Sequence, residues 1–162
     1  MKNLLGVRMR TTPGSSRRPE PRLPGVFSGD AVLWVKSETK YISAVRALLN
    51  AVCASTILSD QDRDDLKLAV GEAVCNAMQH GSPNGSRDYV CVAFAVRADG
   101  VTVSVSDCGG PFAKKCRTRR MKAPRERGYG LLIINKLSSA VRIDSNGRGT
   151  TVTMEKRFPI AV

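Results

Sequence analysis

The sequence predicts an α/β protein, a two-layer sandwich in which helices cover one face of a mixed, mostly antiparallel sheet. Two stretches carry apolar residues at helical spacing, and several short β-rich segments are joined by tight turns. The elements occur in the order strand, helix, helix, hairpin, helix, hairpin. This order is typical of helices packed on one side of an antiparallel sheet. With 162 residues, the chain is long enough to form one such domain.

The first 29 residues differ in composition from the rest of the chain. They are rich in Pro, Gly, Ser and Arg and show no apolar periodicity. Such a segment buries too little apolar surface to offset the entropy of folding. We therefore expect residues 1–29 to be a basic, disordered tail, and residues 30–162 to form the folded domain.

A strand and a helix open the predicted domain. The run Ala31–Lys36 is apolar and β-rich, which indicates a strand. The following segment has an apolar stripe at helical spacing, formed by Ile42, Val45, Leu49 and Val52. Ser37 and Thr39 are both candidates for the residue that caps this helix.

The second predicted helix has clear start and stop signals. Ser59 and Asp60 begin it, since a serine caps free N–H groups and acidic residues favour a helix N-terminus. Gly81 and the Pro and Gly residues that follow it end the helix. The apolar stripe of the helix consists of Leu66, Val70, Ala73 and Ala77.

Two hairpins and a third helix complete the prediction. Residues 89–97 and 101–107 are β-rich and are joined by Ala98-Asp99-Gly100, so they should pair antiparallel. A helix is expected over 130–137, followed by strands over 141–145 and 149–156. Residues 111–127 lack a clear period, and their length suggests a functional lid.

Composition argues against several classes of protein. Five cysteines without a Cys-x-x-Cys pair, and a single histidine, disfavour a zinc site or a disulfide framework. No stretch approaches the roughly 20 apolar residues that span a bilayer, and the N-terminus lacks the apolar core of a signal peptide. We expect a cytoplasmic protein that does not associate with a membrane.

The net charge of +12 favours acidic partners. The basic side chains concentrate in the tail and in residues 114–127, outside the periodic segments. Base-stacking aromatic residues are sparse near both groups, so weak, salt-sensitive attraction to nucleic acid is an alternative, and specific nucleic-acid binding is not predicted.

Chemistry-bearing residues recur along the second helix. Glu72, Asn76 and His80 are spaced by four residues and share one helix face, beside the apolar stripe. A carboxylate and an amide are oxygen donors suited to magnesium, and a carboxylate can also accept the proton of a hydroxyl. An ordinary solvated helix face is the alternative interpretation.

Three further short motifs follow. Asp107 ends a β-rich run and precedes Gly109, so its carboxylate could accept a hydrogen bond from an exocyclic amine. Gly128 and Gly130 lie at the start of a predicted helix, where free N–H groups favour phosphate. Gly149-Thr150 begins the last predicted strand. Each of these motifs alone is also compatible with an ordinary turn.

In order and spacing, these four motifs resemble the nucleotide boxes of the small ATP-binding kinases of the GHKL superfamily. The resemblance is to the anti-sigma-factor serine kinases of bacterial partner-switching systems, and it extends from about residue 32 to residue 157. The boxes of the family are matched by Glu72, Asn76 and His80, by Asp107 and Gly109, by Gly128 and Gly130, and by Gly149 and Thr150.

The resemblance implies a role for each matched position. Asn76 is the implied ligand of Mg²⁺, Asp107 reads the adenine, and Thr150 lies beside it. The implied phosphate contacts are made by the segment Gly128, Tyr129, Gly130 and Leu131. Either Arg127 or Arg125 would contact phosphate. Glu72 is the implied general base, which takes the proton from a serine or threonine hydroxyl.

The resemblance also implies what the protein does. It predicts an ATP- and Mg²⁺-dependent protein serine/threonine kinase that acts as an anti-sigma factor. Such a kinase phosphorylates an anti-sigma-factor antagonist and sequesters a sigma factor, and it forms a homodimer. The alternative is an ATP-binding partner-switch module without kinase activity.

Overall fold

The computed structural model describes residues 8–9, 30–109 and 129–159. The strands in these ranges are β1 (Arg8–Met9), β2 (Ala31–Lys36), β3 (Tyr89–Arg97), β4 (Gly100–Ser106), β5 (Ala140–Asn146) and β6 (Gly149–Arg157). The α-helices are α1 (Ile42–Cys53), α2 (Asp60–His80) and α3 (Tyr129–Leu137), and two 3₁₀ turns cover Thr39–Tyr41 and Gly85–Arg87. None of the described helices is both long and apolar enough to cross a membrane.

The described strands form one sheet in the order β1-β2-β3-β4-β6-β5. Every pairing among them is antiparallel, so the part of the sheet that is described contains no parallel pair. Both predicted hairpins are present, β3 with β4 and β5 with β6. The predicted α/β class and the mostly antiparallel sheet are confirmed.

The core lies between the sheet and the helices. Leu33 pairs with Val92, Val92 with Val105, and Val105 with Val152, so one row of apolar side chains crosses four strands. The helices contribute buried side chains to the same cluster, among them Val45, Leu49, Leu66, Val70 and Ile134. This burial is the main stabilising contribution to the sandwich, and it fixes α2 and α3 on the sheet.

The helix boundaries confirm the predictions for α2 and correct the one for α1. Ser59 caps α2 by accepting a hydrogen bond from the Asp62 backbone N–H at 3.1 Å, and Gly81 is the C-cap. Neither Ser37 nor Thr39 caps α1, because a 3₁₀ turn is inserted before Ile42 and no side chain caps the helix. The Ser37 hydroxyl instead donates to the Met78 carbonyl at 3.2 Å.

The predicted disordered tail is wrong at two positions. Arg8–Met9 form strand β1, which pairs antiparallel with Leu33 and Trp34 at the edge of the sheet. The other residues of the 1–29 segment lie outside the described part of the chain.

A half-buried lysine near the end of β6 joins three elements. Lys156 Nζ lies 3.0 Å from Asp62 Oδ1 and 3.0 Å from Asp65 Oδ2, both in the first two turns of α2. It also donates to the Leu137 carbonyl of α3 at 3.1 Å. The pKa of Asp62 is lowered by hydrogen bonds from Ser59 and Lys156. The pKa of Asp65 is lowered by hydrogen bonds from Gln61 and Lys156.

These lowered pKa values predict acid sensitivity. A carboxylate with a depressed folded-state pKa stabilises the fold above the unfolded value of about 3.9, and the contribution is lost as pH falls through the folded pKa. We therefore expect the free energy of unfolding to fall below about pH 4, and to fall less in an Asp62→Asn, Asp65→Asn double variant. Urea unfolding across this range measures the effect.

The matched control for this measurement is Asp64→Asn, an exposed aspartate on the same helix. It should show the pH dependence of the wild type. Identical pH profiles for the wild type and the double variant would contradict the prediction.

Candidate functional site

The face of α2 that carries Glu72 and Asn76 lies at the edge of the core. Both side chains are half-buried, and His80, the last residue of the helix, is exposed. The neighbouring positions Ala73 and Ala77 are buried, so the helix is held by its apolar stripe while the polar stripe borders it. The structure therefore presents a carboxylate and an amide one helical turn apart, as the spacing predicts.

The start of α3 meets this polar stripe. A Cβ atom on Gly130 would lie 2.9 Å from Asn76 Nδ2 and 3.3 Å from Glu72 Oε2, closer than an ordinary van der Waals contact. The absence of a side chain at Gly130 therefore allows α3 to approach the carboxylate and the amide. The first N–H groups of a helix lack intrahelical partners and attract anions. This junction can hold phosphate beside two oxygen-bearing side chains.

Asp107 lies at the end of β4 and is 7% exposed. Its Oδ1 accepts hydrogen bonds from the Gly109 N–H at 2.9 Å and from the Thr150 N–H at 3.1 Å. Its own backbone N–H donates to the Thr150 carbonyl at 2.9 Å. The Thr150 hydroxyl in turn lies 3.1 Å from the Ser145 hydroxyl. The structure thus fixes the Asp107 carboxylate between the loop after β4 and the start of β6.

Three glycines surround Asp107 where there is no room for a side chain. A Cβ on Gly81 would overlap the Asp107 carboxyl group, and one on Gly149 would overlap the Asp107 carbonyl oxygen. A Cβ on Gly109 would lie 2.6 Å from the Cα of Gly81. The C-terminus of α2, the end of β4 and the start of β6 therefore meet backbone to backbone.

Gly81 is a site residue that the sequence analysis missed. The sequence predicted it only as the end of α2, because a glycine after a helix is common for that reason alone. Gly81 and Asp107 are 26 positions apart in the chain, so no local sequence pattern could predict that they lie close together. Ser145, which pairs with Thr150 across the β5–β6 hairpin, was also missed, although the two residues are close in the sequence.

The two ends of the site are connected by the last turns of α2. Asn76 and Gly81 are five residues apart, which corresponds to about 7.5 Å along a helix axis. The Asp107 end offers a carboxylate acceptor and bare backbone that a flat ring can approach. The Gly130 end offers helix N–H groups, an amide and a carboxylate. This spacing suits an elongated ligand with a ring at one end and phosphates at the other.

The remaining predicted positions fall into two groups. Tyr129 is exposed and Leu131 is half-buried, and both belong to the first turn of α3, so their N–H groups are available as phosphate donors. Arg127, Gly128, the alternative Arg125 and the predicted lid lie outside the described residues. Asn76 and Glu72 supply the oxygen donors that Mg²⁺ prefers, so the residues present fit a nucleotide together with its metal.

The close backbone contact predicts a loss of stability on substitution of one glycine of this hairpin and almost no change on substitution of another. Gly149→Ala should lower the free energy of unfolding by about 1–3 kcal/mol, since a Cβ forces the Asp107 backbone away. Gly147→Ala is the matched control, because no atom lies within 4 Å of its Cβ position, and it should change stability by less than about 0.5 kcal/mol. Urea unfolding measures both variants, and equal stability of the two would contradict the geometry.

Comparison with known proteins shows the family of this chain. Residues 35–156 match the family described as the histidine kinase-like ATPase domain. The chain is 31% identical to the serine-protein kinase RsbW of Bacillus velezensis, over 75% of this chain and 81% of the relative. It is 29% identical to the serine-protein kinase RsbW of Bacillus subtilis, over 75% of this chain and 81% of the relative.

Solved structures show the same fold. The crystal structure of the RsbU and RsbW domains of a Mycobacterium tuberculosis protein is 27% identical with a TM-score of 0.58, covering 78% of this chain and 32% of that one. A histidine kinase domain from Erythrobacter litoralis is 17% identical with a TM-score of 0.52, covering 76% of this chain and 66% of that one. The chain therefore belongs to the histidine kinase-like ATPase family and, within it, to the kinases related to RsbW.

Proposed function

We propose that this chain is an ATP-dependent protein serine/threonine kinase that acts as an anti-sigma factor. It phosphorylates an anti-sigma-factor antagonist and sequesters a sigma factor. The observation that carries the proposal is the junction of Glu72, Asn76 and Gly130, where a carboxylate stands beside the phosphate-binding end of a helix. Relatives named serine-protein kinases at about 30% identity support the same activity.

ATP would lie along the last turns of α2. The Asp107 carboxylate accepts a hydrogen bond from the exocyclic amine of adenine, and Thr150 lies beside it. The phosphates lie at the first turn of α3, where the N–H groups of residues 129–131 point toward the anion. Gly128 and Arg127 precede this turn in the sequence and would extend the phosphate contacts.

Asn76 is the proposed protein ligand of Mg²⁺. The metal, when bound, neutralises charge on the phosphates. The amide oxygen is the group of Asn76 that can coordinate a cation, and the residue is held close to Gly130. His80 occupies the next turn of the same face and is the third residue of that box.

Glu72 is the proposed general base. It is half-buried, and its Oε2 lies 3.3 Å from the Cβ position of Gly130, at the end of the site where the terminal phosphate would lie. As the serine or threonine oxygen of the substrate attacks the phosphorus, Glu72 accepts the hydroxyl proton and ADP leaves. A base in this position contributes about 10²–10⁴-fold to the rate of such a transfer.

The partners are proposed from charge and family membership. The net charge of +12 steers acidic surfaces toward the protein, which suits a protein substrate and a sequestered protein partner of acidic character. We place the chain in the cytoplasm as a homodimer that meets a sigma factor and its antagonist there.

The direct test of the proposal is Glu72→Gln. We expect transfer of labelled phosphate from Mg-ATP to a protein of the native cytosolic extract to fall about 100-fold or more, because glutamine cannot accept the hydroxyl proton. ATP affinity, measured by calorimetry, should stay within about threefold of the wild type, since the side-chain shape is kept.

Asp64→Asn on the same helix serves as the control and should transfer phosphate at the wild-type rate. Equal transfer by Glu72→Gln and the wild type would exclude Glu72 as the base. If the wild type binds ATP but labels no protein, an ATP-gated binding module replaces the kinase as the better account.

A further inference from the structure

The ammonium group of Lys156 contacts three oxygen atoms, one for each of its N–H donors. It lies 3.0 Å from Asp62 Oδ1, 3.0 Å from Asp65 Oδ2 and 3.1 Å from the Leu137 carbonyl oxygen. Its side chain is only 12% exposed. A lysine ammonium carries three donors and no acceptor, so these contacts satisfy it completely.

The charge state of Lys156 agrees with this geometry. Burial lowers the pKa of Lys156. The hydrogen bonds and charges of Asp62 and Asp65 raise this pKa by more than burial lowers it, so the net shift is upward. The side chain is therefore a cation at neutral pH. A cation at the C-terminal carbonyl of a helix is also stabilised by the helix dipole.

Helix α3 is attached to α2 at both of its ends. At its start, Gly130 contacts Asn76 and Glu72, which lie late in α2. At its end, the Leu137 carbonyl shares Lys156 with Asp62 and Asp65, which lie early in α2. The two helices therefore run antiparallel, and Gly130 and Leu137 are about 10.5 Å apart along the axis of α3.

Apolar packing alone does not define the position of α3 along its own axis. Ile134, which is fully buried, holds the middle of the helix against the core. Such apolar contacts are non-directional. They oppose separation of α3 from the core more strongly than they oppose a small shift of α3 along its axis. Hydrogen bonds are directional, so the three bonds of Lys156 define the axial position of α3 relative to α2.

Other hydrogen bonds near Lys156 do not define the position of α3 relative to α2. The Ser139 N–H donates to the Glu155 carbonyl at 2.7 Å, and the Arg157 N–H donates to the Ser139 hydroxyl at 3.0 Å. Both contacts fasten the chain after α3 to β6. Only Lys156, among the polar contacts in the described ranges around this junction, also reaches α2.

We propose that Lys156 is a positioning residue for the phosphate end of the site, acting through α3. By holding the C-terminus of α3 against the acidic start of α2, it sets where the N-terminal N–H groups of α3 meet Asn76 and Glu72. The proposal rests on the proposed ATP site, and it assigns a role in nucleotide binding to a residue outside the four boxes.

The test compares two ligands that use different parts of the site. Adenosine uses the Asp107 end, whereas Mg-ATP also uses the start of α3. We expect Lys156→Met to weaken Mg-ATP binding about fivefold to tenfold and to change adenosine binding less than about twofold. Lys156→Arg, which keeps both the charge and N–H donors for the same oxygens, should restore most of the ATP affinity. Calorimetry and competition titration give the two dissociation constants.

Lys67→Met is the matched control. It removes a lysine that pairs with Asp64 on α2 at 2.8 Å, and it should leave both affinities unchanged. Asp65→Asn provides a second variant in case Lys156→Met does not fold. It keeps Asp62 as a partner and should weaken Mg-ATP selectively, by a smaller factor.

Three results would overturn the proposal. Equal weakening of Mg-ATP and adenosine would show a general loss of structure, and unchanged affinities would show that α3 is positioned without Lys156. The same selective loss in Lys67→Met would show an effect of net charge. A wild type that binds Mg-ATP but transfers no phosphate would refute the kinase and leave the role of Lys156 standing.

Discussion

The site depends on a close approach of backbone at the C-terminus of α2. Gly81, Gly109 and Gly149 bring this terminus against the end of β4 and the start of β6, with no space for a Cβ at any of the three positions. The approach places Asp107 where two N–H groups hold its carboxylate. It also fixes the positions of Asn76 and Glu72, which lie one and two turns earlier on the same rigid helix.

The other end of the site is built from a helix instead of loops. Helix α3 rests on α2 with Gly130 beside the polar stripe and Leu137 beside Lys156. The ring end and the phosphate end are therefore positioned by different contacts. In the proposed ATP site, substitutions should therefore separate adenine recognition, which would depend on strand ends, from phosphate recognition, which would depend on the position of α3.

Much of the architecture was predictable because it is locally encoded. The 3.6-residue stripe of α2, its Ser59 cap and its Gly81 stop are properties of adjacent residues, and the structure confirms each of them. Both hairpins follow from turn residues between β-rich runs. The polar stripe of Glu72 and Asn76 was predictable for the same reason, since its spacing equals one helical turn.

The contacts that assemble the site were not predictable from local pattern. Lys156 and Asp65 are separated by 91 positions, and Gly81 meets Asp107 only after the sheet has formed. The cap of α1 was mispredicted because a 3₁₀ turn intervenes, which shifts the helix start past both candidate residues. Strand β1 was missed because two residues are too few to show a period.

The central claim is that Asp107 reads an adenine in this site. The measurement that tests it most directly is equilibrium binding of Mg-ATP and Mg-GTP to the wild type and to Asp107→Asn. Asparagine keeps an oxygen for the Gly109 and Thr150 N–H groups, so the loops should hold. Adenine presents a donor where guanine presents an acceptor. We predict that the wild type prefers ATP by at least about tenfold and that the variant loses most of this preference. Equal affinity of the wild type for both nucleotides, or an unchanged preference in the variant, would contradict the account.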